Sequence, residues 1–141
     1  MITIAAISGF LSVALGAFGA HGLPDHLASR GLEIVSIEKK VANFETGAQY
    51  LMYHALAILA LGVSGLASSS KGPSKVSCWA AGMFVVGMFL FSGGLFATSF
   101  TELKIHAIIP IGGVFYLVGW GMLLCWGCCG GSCRVSDSSG S

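Results

Sequence analysis

Charge is scarce in this 141-residue chain and unevenly distributed. Only 9% of the residues are Asp, Glu, Lys or Arg, against about 25% in ordinary soluble domains. All of them lie outside four uncharged stretches, Met1–Pro24, Thr46–Ser70, Val76–Thr101 and Ile105–Cys133. Each stretch exceeds the ~20 apolar residues that cross a bilayer as a helix, and a charge at the bilayer centre costs at least about 2.5 kcal/mol. The pattern predicts an all-α integral membrane protein with four transmembrane helices in one bundle.

Motifs of catalysis are also missing. The sequence contains no P-loop, no GxSxG, no HExxH and no pair of membrane-embedded carboxylates. The net charge of +1 provides no basic surface for nucleic acid. We therefore expect no catalytic residues, no cofactor, no metal site and no nucleic-acid partner, with the lipid bilayer as the surroundings. A non-enzymatic role is favoured, and an enzyme acting on a lipid or quinone is the weaker alternative.

The chain divides into a membrane domain and a short tail. We predict a transmembrane domain over residues 1–127, with spans at about 1–23, 46–67, 76–100 and 105–127, and a disordered Cys/Ser/Gly-rich tail over 128–141. Gly22 and Pro24 predict the end of the first span. Pro110 predicts a kink or a new start near the beginning of the fourth. A cleaved signal peptide is the alternative for the first span, but a basic segment before it is lacking.

Two connections between the spans are informative. Within residues 25–45, Ile34, Ile37, Val41 and Phe44 follow a 3-4-3 spacing. This spacing predicts a short amphipathic segment that either lies at the membrane interface or extends the second helix. The connection over residues 101–104 is so short that the third and fourth spans should be antiparallel neighbours.

Glycine is abundant, with 21 residues, about twice the usual share. Lipid provides little hydrophobic force between helices, so small residues that allow close backbone approach are a common packing device. In the first span, small residues recur every four positions, which places them on one helix face. The glycines predicted to mediate helix packing are Gly9, Gly16, Gly19, Gly93, Gly112 and Gly113.

His54 is the strongest candidate for a functional side chain. It lies inside the second span, with Tyr50 one helical turn before it and Gln49 similarly spaced from Tyr53. Ionisable groups at membrane depth usually face the bundle interior and are candidates for function. We predict an intramembrane polar site of His54, Gln49, Tyr50 and Tyr53, joined by His21 from the end of the first span. The alternatives are a packing role through hydrogen bonds across the bundle, or a ligand, metal or proton-handling role.

Four cysteines cluster where the fourth span ends: Cys125, Cys128, Cys129 and Cys133. A CxxC spacing occurs in metal sites, but those sites normally combine two separated pairs. Cysteines next to a membrane are also acylated in some hosts. The sequence therefore allows three interpretations of these cysteines: incidental thiols or disulfides, lipidation, and metal binding.

Several blocks of sequence resemble a known family. The chain is similar to small membrane proteins of the domain of unknown function 423, whose eukaryotic relative is transmembrane protein 256. The resemblance covers about residues 1–127 and is carried by Ile7–Phe10, Leu15–Leu23, Phe44–Ala57, Phe91–Leu95, Ile109–Gly113 and Gly119–Trp120. It implies a multi-pass membrane protein, located in the inner membrane of bacterial members, with no established activity. Residues 25–45 and the cysteine-rich tail depart from the family pattern.

These observations lead to one architecture and two functional hypotheses. We expect the first, second and fourth spans to pack around His54. The leading hypothesis is a structural or accessory protein that associates with itself or with a larger membrane complex. The alternative is a ligand, metal or proton-handling protein that uses the site at His54.

Overall fold

The chain forms four helical segments, each long and apolar enough to cross a membrane. The computed structural model describes residues 1–67, 73–101 and 107–130, and those ranges contain helices and no strands. Helix α1 spans Ile2–Ser29 and α2 spans Ile34–Ala67. The third span consists of α3 (Lys75–Gly87), a π-helical turn (Met88–Ser92) and α4 (Gly93–Phe100), and the fourth is α5 (Ile108–Gly130). The all-α membrane fold predicted from the sequence is confirmed.

The first helix is longer than predicted, because Pro24 does not end it. Proline removes one backbone hydrogen bond to the preceding turn. Here Leu23 and Leu27, on either side of it, are fully buried against Phe44 of α2. Packing across the hairpin thus outweighs the local stop signal. Gly31 turns the chain with a φ of +74°, a conformation that glycine adopts without steric cost.

The amphipathic segment between the first two spans is not a separate element. Its 3-4-3 pattern belongs to the first turns of α2, which begins at Ile34. Ile37 and Val41 pack against the cluster of Leu23, Leu27 and Phe44. The pattern therefore extends the second helix, which was one of the two outcomes predicted.

Helices α1 and α2 meet along a row with seven-residue spacing. Ala5, Ser12 and Gly19 are the buried residues of this row, and the Ser12 hydroxyl donates a 2.8 Å hydrogen bond to the Ala48 carbonyl oxygen. A side chain at Gly19 would lie 2.7 Å from the Phe44 ring. The spacing is that of left-handed helix pairs. It differs from the four-residue rows of small residues that the sequence suggested.

Three of the predicted packing glycines require correction. A Cβ at Gly9 or Gly16 would have no neighbour within 4 Å, and at Gly93 only its own helix lies near, 4.0 Å away. Gly9 and Gly16 are partly buried and Gly93 is exposed, and none of the three is in close contact with a neighbouring helix. By contrast, a Cβ at Gly112 would collide with the backbone of Leu90 and Phe91, and a Cβ at Gly113 would lie 3.9 Å from the Phe91 ring.

The carbonyl end of the third span is capped by cations from the α1–α2 hairpin. Lys40 Nζ donates to the Thr98 carbonyl at 3.2 Å and Arg30 donates to the Phe100 carbonyl at 3.2 Å. In return, the Ser99 hydroxyl donates to the Lys40 carbonyl at 2.9 Å. The last carbonyls of a helix have no partner within it and carry partial negative charge. The two cations therefore satisfy and stabilise this end.

Replacing Lys40 by methionine should lower the free energy of unfolding by about 1 kcal/mol, because a partly buried cation at a helix C-terminus contributes about that much. Equilibrium unfolding in mixed micelles of dodecylmaltoside and SDS measures the change. Lys39→Met is the matched control, since Lys39 is exposed on the same helix, and should change stability by less than about 0.5 kcal/mol. Equal losses for both variants would refute the capping role.

The fourth span packs on the third and not on the first. In the described ranges, α5 contacts α3, the π turn and α4, whereas the only helix in close backbone contact with α1 is α2. The prediction that the first span joins the second and fourth around His54 is therefore wrong. The connection over residues 102–106, including His106, lies outside the described residues, as do residues 131–141 of the tail predicted over 128–141. Residues 128–130 belong to α5.

Candidate intramembrane site at His54

His54 is buried inside the bundle, with 4% of its surface exposed. It lies eight residues beyond Thr46 along α2, about 12 Å into the apolar part of the helix. Its aromatic neighbours in the described chain are Tyr50, Phe84, Tyr116 and Trp120. Three helices, α2, α3 and α5, thus meet at this imidazole.

Hydrogen-bond partners define the state of the imidazole. Nδ1 lies 2.8 Å from the Tyr50 carbonyl oxygen, which can only accept, so Nδ1 carries the hydrogen. Nε2 lies 3.4 Å from the indole Nε1 of Trp120, which can only donate, so Nε2 carries the lone pair. Both nitrogens are therefore satisfied by a neutral ring, and the Nε2 bond connects α2 to α5.

The ring of His54 is stacked on the ring of Tyr116. The two centroids are 3.5 Å apart and the planes differ by 7°. On α3, Gly87 makes room for this stack, because a Cβ there would lie 2.5 Å from the Tyr116 ring. Stacked aromatic pairs contribute about 0.5–1.5 kcal/mol beyond the area they bury. The stack is a second link between α2 and α5.

The π turn lies directly beside this stack. Ser92, its last residue, is buried, and its hydroxyl is 3.5 Å from the Tyr116 hydroxyl. Within the same turn, the backbone of Leu90 and Phe91 packs against Gly112 of α5. A π turn adds one residue to a helical turn, and such turns are frequent at functional sites. Here it brings a buried hydroxyl to Tyr116 and places its backbone against Gly112 of α5.

A groove of about 560 Å³ runs beside the stack between α2 and α5. Aromatic side chains form most of its lining on α2 and the π turn. Along α5 it extends from Pro110 to Trp120, about 15 Å. Tyr53, Val114, Leu117 and Trp120 of the lining are about half exposed or more, whereas Tyr116 is buried at the base, so the groove opens on the lipid-facing side of the bundle. Its lining is Tyr50, Tyr53, His54, Phe91, Pro110, Gly113, Val114, Tyr116, Leu117 and Trp120.

The structure brings together only part of the site predicted from sequence. Tyr50 accepts the His54 hydrogen bond through its carbonyl, and its ring packs 4.8 Å from that of Phe91. Tyr53 is exposed on the groove wall, and Gln49 is exposed on α2. His21 does not belong to the site, because the nearby α1–α2 contact of Gly19 with Phe44 lies ten residues, about 15 Å, from His54 along α2.

Ser92, Tyr116 and Trp120 were not predicted as site residues from the sequence. All three face His54 or its stacking partner from other helices. One signal was available, because Tyr116 lies between glycines at 112 and 119 on one face of α5, a pattern typical of a helix held close to its neighbour. The pattern does not indicate which helix packs against that face of α5.

The described cysteines form no metal site. Cys78, Cys125 and Cys128 are free and exposed. Among the described residues, no group of three or more His, Cys, Asp or Glu side chains could hold a metal ion. Cys133 and the Cys129 side chain lie outside the described part of the chain. For the cluster as a whole, thiols or disulfides, lipidation and metal binding are still the alternatives.

Four long helices, each with an apolar stretch long enough to cross a membrane, define a multi-pass integral membrane protein. Residues 15–113 match the family described as protein of unknown function (DUF423), and the chain belongs to that family. Similar proteins include a UPF0382 membrane protein of Haemophilus influenzae, 38% identical over 120 residues (84% of this chain, 86% of the relative). The UPF0382 inner membrane protein YgdD of Escherichia coli K12 is 36% identical over 125 residues (88% and 86%).

A third relative, the UPF0382 membrane protein YwdK of Bacillus subtilis, is 38% identical over 124 residues (87% of this chain, 91% of the relative). No solved structure gives a significant match. The names of these relatives place them in membranes and assign no activity.

Proposed function

We propose that the protein is a small accessory component of membrane assemblies and that it joins them through the free flank of α1. The observation that carries this proposal is that α1 has close backbone contact with α2 alone among the described helices, while its contacts with the third span are made by side chains such as Phe18 against Phe100. The flank consists of Gly9, Val13, Gly16 and Ala20, spaced 4-3-4 along the helix.

The flank has the properties of a helix-docking surface. Cβ atoms added at Gly9 and Gly16 would meet nothing within 4 Å, and Val13 and Ala20 are exposed. In lipid, helices associate mainly through close van der Waals packing, which small residues permit. A second helix can therefore approach α1 along this flank without displacing a side chain of the bundle.

Native mass spectrometry of the full chain in lipid nanodiscs tests the proposal. We expect wild type to carry added mass, either a multiple of its own 14.5 kDa or that of another membrane subunit. The double variant Gly9→Leu/Gly16→Leu should lose that mass. The control is Gly82→Leu/Gly121→Leu, which fills open space on α3 and α5 and should retain it. A monomeric wild type, or an assembly that survives the α1 variant, would refute docking through α1.

A further inference from the structure

The polar end of the groove between α2 and α5 presents one acceptor and one donor. His54 Nε2 offers a lone pair, and Trp120 Nε1 offers a hydrogen. At present the two groups are bonded to each other over 3.4 Å, longer than the usual 2.9–3.0 Å for a hydrogen bond to nitrogen or oxygen donors. A direct bond of this length is weak, so a group that separates the two side chains can replace it with two shorter bonds.

A hydroxyl group is the chemical complement of this pair. Its hydrogen can be donated to Nε2 of His54 while its oxygen accepts from Nε1 of Trp120. A carbonyl or an ether oxygen can accept from Trp120 but would leave the buried Nε2 without a donor. Leaving a buried acceptor unsatisfied destabilises the complex. The pair therefore selects an alcohol or a phenol against ketones and ethers.

The remainder of the groove indicates what carries the hydroxyl. Phe91 and Tyr50 form a wall of aromatic rings whose centroids are 4.8 Å apart, and flat rings pack well against such walls. The opposite wall is α5, where Gly113 leaves space and Val114 and Leu117 are exposed to lipid. A ring in the groove would thus have its apolar substituent directed into the bilayer.

We propose that this groove binds a membrane-soluble ring alcohol of the phenol or hydroquinone class, whose hydroxyl inserts between His54 and Trp120. Binding is non-covalent and replaces the direct bond between the two side chains. The site is independent of the α1 flank, because it lies between α2 and α5.

The fluorescence of Trp120 can report whether the groove is occupied. The chain has three tryptophans, and the other two, Trp79 and Trp126, are exposed on α3 and α5. The variant Trp79→Phe/Trp126→Phe therefore leaves Trp120 as the single indole without disturbing the core. Its emission in lipid nanodiscs should change when a hydroxyl replaces His54 as the indole partner.

The probes are 4-octylphenol, its methyl ether 4-octylanisole, and 1-dodecanol as an alcohol without a ring. We expect saturable binding of the phenol and at least about tenfold weaker binding of the ether, the ratio that an unsatisfied acceptor of about 1.4 kcal/mol produces. Dodecanol should bind more weakly than the phenol. Equal affinities of phenol and ether in wild type would overturn the proposal, and this comparison needs no variant at the site. Dodecanol binding as tightly as the phenol would overturn the ring requirement.

Two variants assign the selectivity to His54. His54→Phe keeps an aromatic ring against Tyr116 and removes Nε2, so the phenol-to-ether ratio should fall to about one. Ser64→Ala removes an exposed hydroxyl from α2 outside the groove and should leave the ratio unchanged. A ratio that persists in His54→Phe would refute recognition by this residue.

Discussion

Gly112→Ala is expected to lower the free energy of unfolding by about 3 kcal/mol, the upper part of the usual range for overpacking. The added methyl group would lie 2.9 Å from the Leu90 carbonyl carbon and closer still to the Phe91 backbone nitrogen. These atoms belong to the π turn, so they cannot move aside as the end of a flexible side chain would. The methyl group must instead separate α5 from the third span.

Gly121→Ala is the matched control for this prediction. It lies on the same helix, and an added Cβ would have no neighbour within 4 Å. Alanine is better than glycine in a helix interior by about 1 kcal/mol, so this variant should be neutral or more stable. Equilibrium unfolding in mixed micelles gives both values. If the two variants were equally stable, α5 would not be held against the π turn as the structure has it.

The fold class followed from the sequence because charge is excluded from lipid. Four uncharged stretches of sufficient length allow little besides four spanning helices, and the helices Ile2–Ser29 and Ile34–Ala67 contain the first two of the predicted spans. The ends of the helices were less predictable. Pro24 and Gly22 are local stop signals, whereas the helix continues because Leu23 and Leu27 bury against Phe44. That contact depends on the hairpin having formed.

The candidate site was only half predictable for a related reason. His54 could be identified because a histidine inside an apolar stretch is rare. Its partners along α2 follow from helical spacing, as Tyr50 does. Its partners on α5, Tyr116 and Trp120, depend on the register between two helices that are far apart in sequence. The π turn sets part of that register. Met88–Ser92 contains no glycine or proline, the residues from which an irregular helical turn is usually predicted.

The prediction that His21 lies beside His54 failed because the order of the helices in the bundle could not be derived from the sequence. Both histidines follow glycine-rich or aromatic helix segments, and nothing in the sequence states that α1 packs away from α5. The contacts between helices separate His21 from α5, since α2 and the third span lie between the first and fourth spans. Polar residues in separate spans can therefore be assigned to one site only after the order of helices in the bundle is known.

Replacing His54 should have the largest effect within the site, and two substitutions separate its roles. His54→Ala removes the ring stacked on Tyr116 and leaves a void between α2 and α5, so we expect a loss of about 3 kcal/mol. His54→Phe keeps a ring in that place and loses the hydrogen bond to Trp120. Hydrogen bonds between membrane helices contribute about 0.6 kcal/mol on average, so this variant should lose about 1 kcal/mol.

The difference between the two variants measures how much the stack contributes beyond the hydrogen bonds. Unfolding in mixed micelles supplies both free energies, and Tyr53→Phe, a substitution on the exposed side of α2, should stay within about 0.5 kcal/mol of wild type. A loss as large for His54→Phe as for His54→Ala would mean that the nitrogens, not the ring, hold α2 to α5. If the smaller loss is found, the ring supplies most of the stability and the Nε2 bond supplies little. The lone pair of Nε2 can then exchange Trp120 for another donor without loosening the bundle.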